Sequence, residues 1–357
     1  MQKKTGIWIC LFIMTAYLVM FTNSCKKDSS SSDPSTSGKT WNILGNMNIN
    51  NTVYSLCADA SGNIYAAGGF KNSSGFYYVA KWNGSSWSEL GSISANNIIR
   101  KLSIDASGNI YAIGDFTNST GGYYVAKWNG TSWTKLGNTN WQFHAICTDP
   151  SGNVYASGGD LNSNNKFYVA KWNGASWVEV GSLNANWGVF ALSSDAAGSI
   201  YAAGSFTNAS GQYYVAKWNG SSWSNIGLNV TSSIDELCTD GNGNVYAIGG
   251  FTNSSSKFDV AKWNGAGWIF LGLNANAVIS MIRTDPSGNL YAKGGFSNGL
   301  TPTDGKSYIA KWNGSSWTNL GGPEGISYGA GLCINATGNV CAGGYNSTNS
   351  VYVAEYK

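Results

Sequence analysis

The chain has 357 residues, of which 11% are charged and 14% aromatic, with 47 glycines and 16 tryptophans. Charged residues fall far below the roughly 25% of an average soluble protein, and the abundance of Gly, Asn, Ser and aromatic side chains is that of a turn-dense, all-β chain. Twenty-one Lys and Arg against 18 Asp and Glu give a formal net charge of +3, so no basic surplus argues for nucleic-acid binding.

The first 25 residues stand apart. MQKK is a positively charged start, GIWICLFIMTAYLVMF an apolar run, and TNSC places a small residue before Cys25. This order resembles a bacterial lipoprotein signal peptide, with Thr22 standing where such signals usually carry an aliphatic residue. The resemblance implies that residues 1–25 direct export, that cleavage occurs before Cys25, and that Cys25 takes the lipid. The protein is then expected to sit on a bacterial membrane, at the periplasmic or cell-surface side of the outer membrane. An uncleaved anchor is the alternative, and the apolar run is shorter than the about 20 residues a spanning helix needs. Residues 26–39, KKDSSSSDPSTSGK, have nothing to bury and read as a flexible tether with an r.m.s. reach of about 20 Å. Loss of Lys3 and Lys4 with the signal would leave 19 basic against 18 acidic residues, a near-neutral chain.

From residue 40 onward the chain repeats. Each unit reads as a strand ending at an acid, a turn, a second strand, a loop and a hairpin. The first marker is DASGNIYA at 59, echoed at 105, 149, 195, 240 and 285, and as NATGNVCA at 335. The second is the hairpin YVAKWNGSSWSELG at 78, whose closing tryptophans recur at 133, 177, 223, 268 and 317. Asn83-Gly84 between two strand-like runs predicts a two-residue type I′ turn. Seven units of about 45 residues with four strands each predict a seven-bladed β-propeller over residues 40–357. The last unit stops at VYVAEYK, after its third strand, while TWNILG at 40 supplies an isolated fourth. The last blade is therefore expected to be closed by the N-terminal strand, which removes free sheet edges.

The D-x-S-G-N-I-Y-A-x-G marker resembles bacterial propeller repeats of the NHL and SBBP type, and the W-N-G-x-x-W hairpin resembles kelch repeats. That resemblance implies the fold and little about activity, because such propellers host lectins, adhesion modules, lyases and oxidases.

The copied residues read as structure. Asp59, Asp105, Asp149, Asp195, Asp240 and Asp285 each bring one carboxylate where a calcium loop needs several oxygens, and Asn335 in the seventh unit suits an Asx-turn. The paired tryptophans read as fillers between blades, with multivalent sugar platforms as the alternative. Cys57, Cys147, Cys238 and Cys333 share one repeat position and read as small buried residues. Cys341 replaces the Tyr of its unit, opposite Cys333, and this pair is the one candidate disulfide.

The uncopied residues cluster elsewhere. Alternating strand directions put the acid turn and the Asn-Gly turn on one face, and the variable connections on the other. Five residues before each turn acid stand Tyr54, Arg100, His144, Phe190, Asp235, Ser280 and Ala330, which a ring would gather round its central mouth. Trp141 and Trp187 precede two of them, and Glu236 follows another. The binding reading uses Trp141 and Trp187 as stacking faces, with Tyr54, Arg100, His144, Asp235, Glu236 and the amides of Asn97, Asn140 and Asn186 as polar partners for a carbohydrate or peptide. The enzyme reading, a lyase or hydrolase, takes His144 as general acid or base beside Arg100 or Asp235. A display role without a small ligand is the third class. With one histidine, no metal centre is expected, nor any cofactor. The reading favoured is a monomeric, membrane-tethered binding or scaffold propeller.

Overall fold

The structure, a computed structural model, describes residues 38–47, 49, 51–296, 308–323, 330–345 and 350–357. The signal peptide, Cys25 and nearly all of the tether lie outside them. The described residues contain no helix and form seven four-stranded antiparallel sheets, so the chain is an all-β, seven-bladed propeller. Blade 1 runs outward from the axis as Val53–Ala58, Ile64–Gly68, Ala80–Trp82 and Trp87–Glu89. The inner strands of blades 2 to 6 are Ile99–Ile104, Phe143–Thr148, Val189–Ser194, Ile234–Thr239 and Ile279–Thr284. Blade 7 joins Leu332–Ile334, Val340–Tyr345 and Val351–Tyr356 to the N-terminal Trp41–Ile43.

The closure has the register that the truncated last unit predicts. Trp41 pairs with Tyr356 and Ile43 with Ala354, and Leu44 N–H adds a bond to Val353 O at 2.8 Å. At the axis, Gly331 N–H donates to Val53 O at 2.8 Å, which joins blade 7 to blade 1. Second strands of the form Ile-Tyr-Ala-x-Gly are buried on both faces, because each sheet is covered by a neighbour on either side. Small residues such as Ala66 and Ala67, both at 0% exposure, let those neighbours approach.

The third-to-fourth strand hairpin differs from expectation. Trp82 pairs with Trp87, so the connection has four residues, and only Gly84 takes positive φ, at 97°. The turn is built instead by Asn83, whose Oδ1 accepts from Ser85 N at 3.0 Å and Ser86 N at 2.9 Å. An Asn side chain that mimics backbone in this way needs no left-handed residue of its own.

The tryptophans are staples between blades. Trp87 Nε1 donates to Leu44 O of blade 7 at 2.5 Å, Trp133 to Leu90 O at 2.6 Å, and Trp177 to Leu136 O at 3.2 Å. Trp223 reaches Val180 O at 2.6 Å, Trp268 Ile226 O at 2.9 Å, Trp317 Leu271 O at 3.0 Å, and Trp41 Leu320 O at 3.0 Å. Seven indoles thus bind seven carbonyls around the ring, each at the end of the preceding blade's outer strand. The glycine after that carbonyl takes positive φ in every blade, and in four of them a side chain there would also strike the next indole. Gly91 has φ +55°, and a Cβ there would lie 2.5 Å from the Trp128 ring; at Gly181 the distance to Trp218 is 2.4 Å.

Cys333 and Cys341 are register partners across the first hairpin of blade 7. Both are free, buried thiols, and a hydrogen bond to Cys333 together with burial holds the Cys341 thiol protonated.

Trp133→Phe, which removes one indole N–H and strands the Leu90 carbonyl, should cost about 1–3 kcal/mol in chemical denaturation. Trp133→Ala should cost about 3–5 kcal/mol.

Candidate functional site

The two faces of the disc differ chemically. On the copied face, Asp59 Oδ1 accepts from the backbone of Ser61 and Asn63, both at 2.9 Å, and Oδ2 accepts from Asn63 Nδ2 at 2.6 Å and Tyr65 OH at 2.9 Å. Burial pushes this carboxyl up, but the four hydrogen bonds outweigh it and hold the group below its usual range. Lys81 lies over the Tyr65 ring at 5.7 Å, and the same Lys–Tyr contact recurs in blades 2 to 6. The carboxylate oxygens are occupied by protein donors, which argues against a cation there.

Blade 7 exchanges the whole set. Asn335 replaces the Asp, Cys341 the Tyr and Glu355 the Lys. The carboxylate has moved one strand pair outward: Glu355 accepts from Asn335 Nδ2 at 2.7 Å and Asn339 Nδ2 at 3.1 Å, and pairs with Lys357 at 2.9 Å. Three coupled substitutions keep one acid hydrogen-bonded at the turn.

On the other face, one backbone device sets the site. In blades 1 to 6 the inner strand carries a bulge, and its unpaired residue is Tyr54, Arg100, His144, Phe190, Asp235 or Ser280. Glycine opposite makes the bulge. A Cβ on Gly68 would stand 2.0 Å from Thr52 O, and one on Gly114 2.1 Å from Ile98 O. Bulges re-aim side chains, and here the re-aimed residues are those that vary between units.

Contacts connect three of these positions over blades 2 to 4, with Tyr54 at the same bulge position on blade 1. Arg100 forks onto Asp115, with Nε to Oδ1 at 2.6 Å and Nη2 to Oδ2 at 2.5 Å, and Gln142 Nε2 of blade 3 also donates to Asp115. The Arg100 charge is held chiefly by the Asp115 bond. His144 lies 5.4 Å, ring to ring, from Phe190. Burial lowers the His144 imidazole below its usual range, Arg100 lowers it further and Asp115 opposes both, so the ring is neutral at pH 7. Its Nδ1 is buried without a hydrogen-bond partner among the described residues. Asp235, bound by Ser233 Oγ at 2.7 Å, stands on blade 5 outside these contacts.

The two candidate indoles part company. Trp187 is 62% exposed. Trp141 is half-buried, 4.4 Å from Phe143 and 6.4 Å from Tyr168, and packs on the blade 3 core. It is therefore held by packing, whereas Trp187 stands out into solvent.

Glu236 also departs from the mouth. The bulge turns it opposite to Asp235, into the wall of the central channel, where it accepts from Ile282 N at 3.1 Å and Arg283 Nη1 at 2.5 Å. Arg283 takes the repeat position held elsewhere by Cys or Ser, and Lys101 and Lys293 take positions that are small or apolar in most blades. Lys293 is fully buried, with Nζ to Ala330 O at 2.6 Å. Burial lowers its amine to about 7, Glu236 opposing and Arg283 adding to the shift. These outliers are visible once the seven units are aligned, and they mark a second layer beneath the mouth. A cleft at the outer strand of blade 1, lined by Met47, Tyr78, Trp87 and Glu89, has its polar groups paired: Asn72 Nδ2 donates to Glu89 at 3.0 Å.

No family model and no curated protein sequence matches the chain. Solved structures do. The chain is similar to YCF48 bound to a D1 peptide, at 10% identity and TM-score 0.56, over 90% of this chain and 96% of that one. It is similar to virginiamycin B lyase from Staphylococcus aureus, at 9% identity and TM-score 0.59, over 89% and 99%. A chain of the mitotic checkpoint complex gives 12% identity and TM-score 0.61, over 96% and 99%. At such identities the likeness is one of fold: a propeller.

The Lys293 amine has a sign that can be tested. The folded chain releases this proton near pH 7, whereas the unfolded chain keeps it to about 10.4, so stability rises with pH above 7. The melting temperature should climb between pH 7 and 8.5, and Lys293→Met should flatten the climb.

Proposed function

We propose that this is an exported, lipid-anchored propeller that binds a carbohydrate or peptide at its variable face. The observation that carries the reading is the bulge-built arc of Tyr54, Arg100, His144 and Phe190, four different side chains delivered by one repeated backbone device. Trp187 stands exposed beside it on blade 4. Aromatic faces with a fixed guanidinium and amides suit sugars and peptides, which offer flat apolar patches and hydrogen-bonding groups. A bulge that recurs while its residue changes is a scaffold for an asymmetric site.

Catalysis has less support. A general base is oriented by a third group, and His144 Nδ1 has no such partner among the described residues, while Asp115 is committed to Arg100 and Gln142. The tether reading rests on MQKK, the apolar run and Cys25. Metabolic labelling with a fatty acid should mark the wild type, and Cys25→Ser should lose the label and leave the membrane fraction. A retained label would contradict the anchor.

The closed propeller of residues 39–357 forms its own unit and can be applied to glycan and peptide arrays. A specific signal should appear and fall at least about tenfold in the Trp187→Ala, Phe190→Ala double variant, with little change in melting temperature. A signal that survives the double variant, or no signal on either array, would contradict the reading.

A further inference from the structure

Two residues after each closing tryptophan the repeat stops copying itself. The position holds Glu89, Lys135, Glu179, Asn225, Phe270 and Asn319, and Ile43 in the strand that closes the ring. Its surroundings do repeat. Glu89 is the register partner of Ala80, and Lys135 of Ala126. The tyrosine two residues before each alanine, Tyr78 or Tyr124, lies on the same side of the sheet, because side chains alternate along a strand.

Blade 2 shows what this niche accepts. Lys135 Nζ stands over the Tyr124 ring, 4.7 Å from its centroid. Blade 1 reverses the sign, with Glu89 in place of the lysine, and no Lys or Arg pairs with Glu89 among the described residues. Here a cleft of about 130 Å³ is lined by Met47, Tyr78, Ala80, Trp87 and Glu89. An apolar cavity of about 150 Å³ takes up benzene, so this cleft has room for a small alkylammonium head.

The acid is held in place. Asn72 Oδ1 accepts from Ser74 N and Phe76 N, both at 3.1 Å, which fixes the amide, and Asn72 Nδ2 donates to the two Glu89 oxygens at 3.0 and 3.2 Å. One amide nitrogen leaves most of the acceptor capacity of a carboxylate unused. Trp87 has spent its N–H on Leu44 O, so it offers the cleft ring surface alone. Blade 3 also carries an acid, Glu179, but its tyrosine is bound elsewhere: Tyr168 OH donates to Asp160 at 2.7 Å, and Trp141 lies against its ring.

We propose that the blade 1 cleft binds an alkylammonium group, its charge shared between the Glu89 carboxylate and the rings of Tyr78 and Trp87. Aromatic rings attract cations through their quadrupole, and the carboxylate supplies the counter-charge. Lys135 of blade 2 is the built-in counterpart of that ligand. The site shares no residue with the mouth.

The test is a ligand-observed NMR titration of the propeller with ethanolamine hydrochloride and, in a second arm, choline chloride, at ionic strength fixed with sodium chloride. Saturable binding of both supports a general alkylammonium site; ethanolamine alone identifies a primary amine held by hydrogen bonds, and choline alone a quaternary head held by the rings. Glu89→Gln should weaken binding about three- to tenfold, the effect of one partly exposed charge. Glu89→Lys, which copies blade 2 and places an ammonium in the cleft, should abolish it, and the Trp187→Ala, Phe190→Ala variant should bind as wild type. No saturable binding of either cation, equal binding in wild type and Glu89→Gln, or equal binding of the uncharged choline isostere 3,3-dimethylbutanol would overturn the site.

Discussion

One hydrogen bond, made seven times, organises this molecule. The indole that closes each outer hairpin donates to the carbonyl ending the blade before it, and Trp41 makes the same bond to Leu320 that the other six make around the ring. The bond ties neighbouring blades at their periphery, and the carbonyl is followed in every blade by a glycine of positive φ. It also decides the role of the tryptophans. A ring held in this way has its paired indoles half-buried and tilted at 5.4–5.8 Å from one another.

A second constraint acts at the axis. Inner strands converge there, and the bulge with its facing glycine lets each strand turn one residue out of the ladder while the next returns to it. Adjacent residues thereby serve different layers: Asp235 rims the mouth and Glu236 lines the channel; Arg100 rims the mouth and Lys101 lines the channel. The copied face is settled differently, with the turn acids of blades 1 to 6 bound by backbone and phenol donors and, in all but blade 4, by an Asn amide. Blade 7 shows how tightly that set is coupled, since Asp, Tyr and Lys change together to Asn, Cys and Glu.

Much of this was legible in the residues. The repeat markers yield seven blades, and the truncated VYVAEYK with the orphan TWNILG yields the closure and its register. The single carboxylate per turn and Asn335 point to an Asx-turn. Other features were not legible, for physical reasons. Asn-Gly reads as a type I′ turn because residue types cannot show that the Asn side chain, not its φ, shapes the loop. Trp141 reads like Trp187 until Phe143 and Tyr168 are found against it. Glu236 reads as a neighbour of Asp235 until the bulge separates them. The channel cations could have been found by aligning the units and asking which replace small residues.

The division between copied residues that build and uncopied residues that bind is tested most directly by a crystal structure of the propeller with an array-selected ligand. The account predicts density over blades 1 to 4 in contact with Tyr54, Arg100, His144 and Phe190. Density on the Asn-Gly hairpins, repeated from blade to blade, would contradict it.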